Sequence, residues 1–249
     1  LHVILNGEIY NYIELRDQLK QKNYVFKTNT DTEVLLYLYT EYGENFINYI
    51  NGIFSFVIYD NKHKKLLIYR DRLGVKPLYY YLDNKKLIFS SNLDSISKLI
   101  RNNEIDYYSL FSYLINNYVP GQNSINNNVK KLLPGSFISV ENNNLKIKSY
   151  WKIKNINKNR LDNFDEQFEN TLTDTIKIQS RTDVKIGTFL SGGIDSSVIS
   201  YLLSKRVKNF DTYTTNFIGK NQEDLYFSKK ISEELHLQNK ILNIDLLTD

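Results

Sequence analysis

Two stretches of this chain carry residues whose types and spacing could do chemistry. The first is Phe189-Leu190-Ser191-Gly192-Gly193-Ile194-Asp195-Ser196-Ser197. It reads as the end of a buried strand, a tight turn and the start of a helix. Two glycines let the backbone approach a ligand closely, and the exposed N–H groups and helix dipole then face an anion. Ser191, Ser196 and Ser197 add hydroxyl donors. A hydrogen bond to a charged group contributes about 1.5–3 kcal/mol, so several together can hold a phosphate. Asp195 would repel that phosphate unless a cation lay between them, which points to Mg²⁺. The alternative is an ordinary strand–helix junction capped by Asp195 or Ser196. A bare Ser-Gly-Gly fits that alternative better, whereas the whole stretch between strand and helix fits a phosphate site better. The loop has neither the Lys of Gly-x-x-x-x-Gly-Lys nor the Gly-x-Gly-x-x-Gly spacing.

The second stretch is Asn6-Gly7-Glu8-Ile9-Tyr10-Asn11, directly after an opening apolar run. An Asn-Gly pair at a strand end offers an amide side chain and an unobstructed backbone N–H, the two donors an oxyanion hole requires. By itself, such a pair is more simply a turn. Arg70-Asp71-Arg72-Leu73-Gly74-Val75-Lys76-Pro77-Leu78-Tyr79-Tyr80 packs charge, a Gly turn and a Pro into a strand junction. It reads as structural, with Arg70 and Asp71 as internal ion-pair partners rather than catalysts.

The elements that must position these residues fall into two groups. In the first half, residues 12–20 place Tyr12, Leu15 and Leu19 on one helical face. A second helix opens within Asn29–Glu33, where any of several small polar residues can cap it, and Gly43 is its stop. Strands follow at 53–59 and 66–69, then a pair at 78–82 and 86–89, a helix at 106–117 and an Asn-rich loop at 116–128. A hairpin at 137–140 and 145–148 turns about Asn142–Asn144. This half reads as stacked antiparallel sheets flanked by helices. A polar, Asn-rich stretch at 152–163 marks the domain boundary. Beyond it, helix 164–178, strand 184–190, helix 197–205, strand 212–217, helix 224–235 and strand 240–244 alternate, which implies a parallel sheet with covering helices.

Taken in order, NGEIYN at 6–11, DTE at 31–33, NGIFSFVIYD at 51–60, RDRLGVKPLYY at 70–80, LLPGS at 132–136, YW at 150–151 and FLSGGIDSS at 189–197 resemble the glutamine-hydrolysing asparagine synthetase family. The resemblance runs through essentially the whole chain. It implies an N-terminal-nucleophile glutaminase at 1–151, an αββα sandwich, followed at 160–249 by a parallel-sheet ATP-pyrophosphatase domain, an α/β protein overall. It implies glutamine, aspartate and ATP as substrates, with Mg²⁺. Asn6 and Gly7 would form the oxyanion hole and be the catalytic residues present. Glu8 would help hold glutamine, and Asp31 would pair with its α-ammonium group. Leu190, Ser191, Gly192, Gly193, Asp195, Ser196 and Ser197 match the ATP loop, with Asp195 at the metal, and Thr215 lies where a strand backbone would contact adenine. Two related alternatives stay open: an amidotransferase acting on a sugar acid, peptide or β-lactam precursor, and a non-catalytic homologue. Asn216 and Asn239 stand where the family has Gly and His.

Composition bounds the rest. The chain has 249 residues, a net charge of +4, 41% hydrophobic and 24% charged residues, an ordinary globular balance. No basic block stands out, so nucleic acid is not expected as a partner. No apolar run approaches the ~20 residues that span a bilayer, and a cytoplasmic protein is expected. A homodimer is compatible with these features. His2, His63 and His236 have no carboxylate or Cys cluster around them that suggests a metal site. There is no Cys and no Met. The chain opens mid-strand at Leu1-His2-Val3 and stops after a strand. It therefore reads as an internal piece, with the family's nucleophilic Cys and glutamine-binding Arg expected upstream of Leu1.

Overall fold

The computed structural model describes residues 1–153, 163–182, 184–218 and 223–245. The chain divides into two compact units, Leu1–Ile156 and Asn157–Asp249. The boundary expected at 152–163 lies mostly outside the described residues.

The first unit is ordered by three separate hydrophobic cores. Strands β1 (His2–Ile9), β2 (Gly52–Asp60) and β3 (Lys65–Arg70) join β7 (Ser136–Glu141) and β8 (Asn144–Ser149) in one antiparallel sheet, ordered β1-β2-β3-β7-β8. A smaller antiparallel sheet, β5-β4-β6, contains β4 (Tyr79–Leu82), β5 (Leu87–Ser90) and β6 (Val129–Lys131). Side chains alternate between faces along a strand, and the cores follow that alternation. Phe54, Phe56, Ile58, Leu67 and Tyr69 pack with Leu15 and Leu19 of α1 (Tyr12–Gln21) and Val34, Leu35 and Leu38 of α2 (Asp31–Tyr42). The intervening Val57, Leu66 and Ile68 pack with Tyr80, Leu87 and Phe89 of the small sheet. The opposite face of that sheet, through Tyr79, Tyr81 and Ile88, covers Ile96 of α3 (Leu93–Ser97). The layers are thus helix, sheet, sheet, helix.

Local chemistry explains the element ends. Thr30 is the cap of α2, its hydroxyl accepting from the Glu33 N–H at 3.3 Å, a device that contributes about 1 kcal/mol. Gly43, at φ 56°, ends the helix. Asn142 and Asn143 have φ of 50° and 60°, as a tight hairpin turn between β7 and β8 requires. Asp60 closes the β2–β3 turn. Its carboxylate accepts from the Lys62 N–H (2.9 Å), the His63 N–H (3.2 Å) and His63 Nδ1 (2.7 Å). Burial pushes this carboxyl upward, but the His63 ring and the two main-chain donors outweigh it and hold it down at about 2.

The depressed value sets a direction for stability. Because Asp60 is harder to protonate when folded, its contribution is full above the ordinary carboxylate range and is lost as pH falls through about 2. Asp60→Asn is expected to lower Tm at pH 7 by about 2–4 °C, the effect of about 1 kcal/mol in a chain of this size. It is also expected to flatten the acid fall in Tm. Parallel melting curves of the two proteins from pH 5 to pH 2 would contradict this.

The second unit is a parallel sheet ordered β11-β10-β9, from β9 (Gly187–Phe189), β10 (Asp211–Phe217) and β11 (Gln238–Ile244). Helices α5 (Phe164–Gln179), α6 (Ile194–Ser204) and α7 (Glu223–Glu234) accompany it. Among the described residues no helix of either unit is long and apolar enough to cross a membrane.

Three sequence expectations are corrected. The opening strand does not stop before Asn6 but runs through Ile9, because a glycine at position 7 lets β1 stay paired there. Strand β9 is three residues long rather than seven, with pairing to β10 over Gly187–Phe189 alone. Helix α6 starts at Ile194, three residues early, because Gly193 takes the extended conformation of a cap. The short elements α3 and β6 were not anticipated. Helix α4 (Tyr107–Asn116) follows its expected span, started by Asp106 and ended by Asn117 at φ 59°.

Candidate active sites in the two units

In the first unit the Asn6–Glu8 segment lies within β1, at the edge of the large sheet. Gly7 faces Phe54 of β2 and has φ 144°. A Cβ at this position would come within 2.1 Å of the Ile53 carbonyl oxygen and 2.7 Å of Phe54 Cα. Only glycine fits.

The direction of the Gly7 N–H follows from its neighbours. In an antiparallel strand, successive residues present their N–H and C=O groups to alternate sides. Tyr10 donates its N–H to Asn51 O at 2.8 Å, toward β2. Ile9 donates instead to Asp31 Oδ2 at 3.0 Å, away from β2. Gly7, two residues from Ile9, shares the outward side. The outer edge of β1 thus carries the Gly7 N–H and, about 7 Å along the strand, the Asp31 carboxylate. Asp31 also accepts from Thr32 Oγ1 at 3.2 Å, and a carboxylate has lone pairs for further donors. Asn6 and Glu8 are exposed. Burial first, then the charges of Glu8 and Asp71, push the Tyr10 hydroxyl upward, which puts Tyr10 within electrostatic reach of both.

Asn11 serves structure. Its amide donates to Tyr49 O and accepts from the Asn51 N–H, each at 2.9 Å, fixing the turn that leads into β2. The expected Arg70–Asp71 ion pair is replaced by bonds to backbone. Arg70 donates to the carbonyls of Lys76 (2.9 Å), Leu132 (2.6 Å) and Gly74 (2.8 Å). Asp71 accepts main-chain N–H groups, including those of Val75 and Lys76 at 3.0 Å. Tyr150 donates its hydroxyl to Arg70 O at 2.7 Å, and Gly135 donates its N–H to Asp71 O at 2.8 Å. Three motifs far apart in sequence, at 70–80, 132–136 and 150–151, therefore close on one another.

In the second unit the Ser191–Ser197 loop leaves β9 at the C-terminal end of the parallel strands and enters α6. Open α/β sheets place ligands at this end. Gly192, at φ 84°, is crowded: a Cβ would lie 2.7 Å from Asp224 O and 3.0 Å from Phe227 Cβ on α7. Gly193 is different, since a Cβ there would meet only Ser191 Oγ, at 3.4 Å. The first glycine lets α7 pack on the loop, and the second leaves clear the space before α6. Ser191 and Ser196 hydroxyls lie 3.0 Å apart, and Ser197 donates its hydroxyl to Gly193 O at 2.6 Å. Asp195 is exposed in the first turn of α6.

Leu190 is fully buried and offers only backbone. Its N–H donates to Tyr213 O at 2.8 Å, and its carbonyl accepts from Thr214 Oγ1 at 2.6 Å. Thr215, exposed and next in β10, sits beside the start of the loop. Thr214 was not anticipated, though its alternation with Thr212 on the buried side of β10 was visible. Of the two residues that depart from the family pattern, Asn216 pairs its amide with Asn243 at 2.8 Å. Asn239 sets its side-chain amide 3.0 Å from the Thr214 hydroxyl, whose one proton goes to Leu190 O. A cavity of about 770 Å³ along β9, lined by Lys185, Asp211 and Lys240 among others, includes none of the loop residues 190–197. Among the described residues no group of three or more His, Cys, Asp or Glu could hold a metal ion.

The four-layer unit belongs to a class, the glutamine amidotransferases. The family model described as "Glutamine amidotransferase domain" matches residues 1–151, and the chain belongs to that family. The model described as "Asparagine synthase" matches residues 167–246. Asparagine synthetase [glutamine-hydrolyzing] 1 of Bacillus subtilis is 34% identical over 240 residues, covering 95% of this chain and 38% of that protein. Putative asparagine synthetase [glutamine-hydrolyzing] 2 of Methanocaldococcus jannaschii is 34% identical, covering 90% of this chain and 44% of that protein. Amidase chry2 of Gibberella zeae is 28% identical, covering 84% and 31% respectively. The chain spans less than half the length of each of these relatives.

Proposed function

We propose that the protein carrying these residues makes asparagine with glutamine as nitrogen donor. Residues 1–151 form its glutaminase domain and 160–249 the first part of its ATP-using domain. Glutamine and water give glutamate and ammonia in the first. Aspartate and ATP give β-aspartyl-AMP and pyrophosphate in the second, and ammonia displaces AMP to leave asparagine. The observation that carries the reading is the outer edge of β1. There an outward Gly7 N–H and the Asp31 carboxylate are separated by about two residues of extended chain. That separation is comparable with the span of glutamine from its amide oxygen to its α-ammonium group. Asn6 Nδ2 and the Gly7 N–H hold the developing oxyanion, Asp31 the ammonium group, and Glu8 helps seat the substrate.

In the second unit, the N–H groups of the 191–197 loop and the Ser191, Ser196 and Ser197 hydroxyls receive the nucleotide's phosphates. Backbone at Leu190 and Thr215 lies against the base. One carboxylate beside a phosphate loop fits Mg²⁺, which commonly takes one or two protein carboxylates and completes its shell with phosphate and water. Asp195 would hold it, and the ion would neutralise phosphate charge.

Asp31→Asn tests the first site in the full-length protein. The amide oxygen still accepts from Ile9, so the fold is kept. Loss of the charge-assisted bond, about 1.5–3 kcal/mol, is expected to raise KM for glutamine about 10- to 150-fold and spare ammonia-dependent synthesis. Equal loss of both activities would show that Asp31 does not bind glutamine. A second reading, favoured by the likeness to an amidase, keeps both sites and changes the acid that is amidated. Product analysis with ATP, glutamine and aspartate decides between them. AMP release on another acid with no asparagine formed would establish the second.

A further inference from the structure

Asp71 is buried, 1% exposed, and directly follows β3, where its hydrogen bonds place it opposite Phe54. Its N–H donates to Phe54 O at 2.8 Å, and its carboxylate Oδ2 accepts the Phe54 N–H at 3.3 Å. The carboxylate here replaces a main-chain carbonyl. Asp71 O is already engaged by the N–H groups of Gly74 at 3.1 Å and Gly135 at 2.8 Å, because the chain turns out of the sheet at this point. The remaining carboxylate bonds go to the N–H groups of Leu73 (3.1 Å), Val75 (3.0 Å) and Lys76 (3.0 Å). Four main-chain donors thus converge on one carboxylate.

The consequence reaches β1. Both main-chain groups of Phe54 point to Asp71, so neither is directed at Gly7, its partner on the other side. Residues so paired turn their own N–H and C=O groups outward. We infer that Asp71 is a positioning residue for the glutaminase site: by holding both main-chain groups of Phe54, it sets the phase of β2 that presents the Gly7 N–H to substrate. A shift of one residue in that phase would turn the Gly7 N–H inward and present a neighbour instead. This inference rests on the reading of Gly7 as an oxyanion donor.

The test uses the full-length protein, with glutaminase kinetics, inhibition by the γ-aldehyde analogue of glutamine, and binding of L-glutamate. The aldehyde's adduct places an oxyanion in the site, whereas glutamate does not require that donor. Asp71→Asn is expected to lower glutaminase kcat about 10- to 100-fold, as a misplaced donor does. Aldehyde affinity is expected to fall by a similar factor. KM for glutamine and glutamate affinity should stay within about 2-fold. A variant with lowered Tm but wild-type kcat and aldehyde affinity overturns the inference. Asn6→Ala separates the two ideas. If it leaves kcat and aldehyde affinity unchanged, the oxyanion reading itself falls. If it lowers both while Asp71→Asn lowers neither, only the positioning role falls. Should Asp71→Asn prove insoluble, Tyr150→Phe removes one bond, to the carbonyl of the preceding Arg70. It is expected to weaken the aldehyde about 3- to 10-fold, and unchanged affinity there also overturns the inference.

Discussion

Gly7→Ala is expected to abolish glutaminase activity and to destabilise the first unit by about 3–5 kcal/mol. Two costs combine. A backbone at φ 144° is one that side-chain-bearing residues rarely adopt. The new methyl would also press on the Ile53 carbonyl at 2.1 Å and on Phe54 Cα at 2.7 Å. Both are backbone atoms of a strand paired on each side, so neither can step back without breaking its ladder. Gly43→Ala provides the control. Gly43 also has positive φ, at 56°, but nothing lies within 4 Å of its would-be Cβ. With ψ at −145° its backbone lies outside the left-handed helical region, so alanine there should cost about 1–3 kcal/mol from backbone strain alone. Equal losses of stability in the two variants would show that the contact with β2 is not what demands glycine at position 7.

Asp195→Ala is expected to lower ATP cleavage to AMP and pyrophosphate by about 10²–10³-fold, the scale on which one electrostatic partner of a reacting group acts. Glutaminase activity should be untouched. The substitution is mild for the fold, since Asp195 is exposed and Gly193, not Asp195, caps α6. Removing one acidic group from the first turn costs about 0.3–1 kcal/mol. A second readout avoids catalysis: stabilisation by ATP with Mg²⁺ should shrink in the variant, while stabilisation by ATP with EDTA should not. Wild-type pyrophosphate release from Asp195→Ala would remove the metal and phosphate role from this residue.

The sequence made the fold legible wherever one local signal dominated. The alternation of residues 53–59 and the 3.6-residue pattern of 12–20 each named their element, the strand even though both of its faces are covered. The short strand β6 and helix α3 were not legible. Val129–Lys131 pairs only with β4, and Leu93–Ser97 covers only the outer face of the small sheet. Tertiary pairing makes those elements, and three to five residues carry no period. The candidate sites divide the same way. Asn6, Gly7 and the 191–197 loop stood out through residue type. Asp71 was noticed but read as half of an ion pair. Its use depends on which main-chain groups it meets, and no side-chain pattern reports that. Phe54 passed as one more apolar residue of a strand, because its contribution is made by its N–H and C=O.

The closure around Arg70 also bears on how the protein comes into being. The bonds that brace the Asp71 turn come from Leu132, Gly135 and Tyr150, residues made long after Gly7 has left the ribosome. Contacts so distant along the chain form late, because the loops they close must be ordered first. A nascent chain halted near residue 120 would own both β1 and β2, yet the Asp71 turn would be held only by its own neighbours and Phe54. Full bracing of the Asp71 turn therefore awaits synthesis of the Tyr150-Trp151 segment, about 140 residues downstream of Gly7.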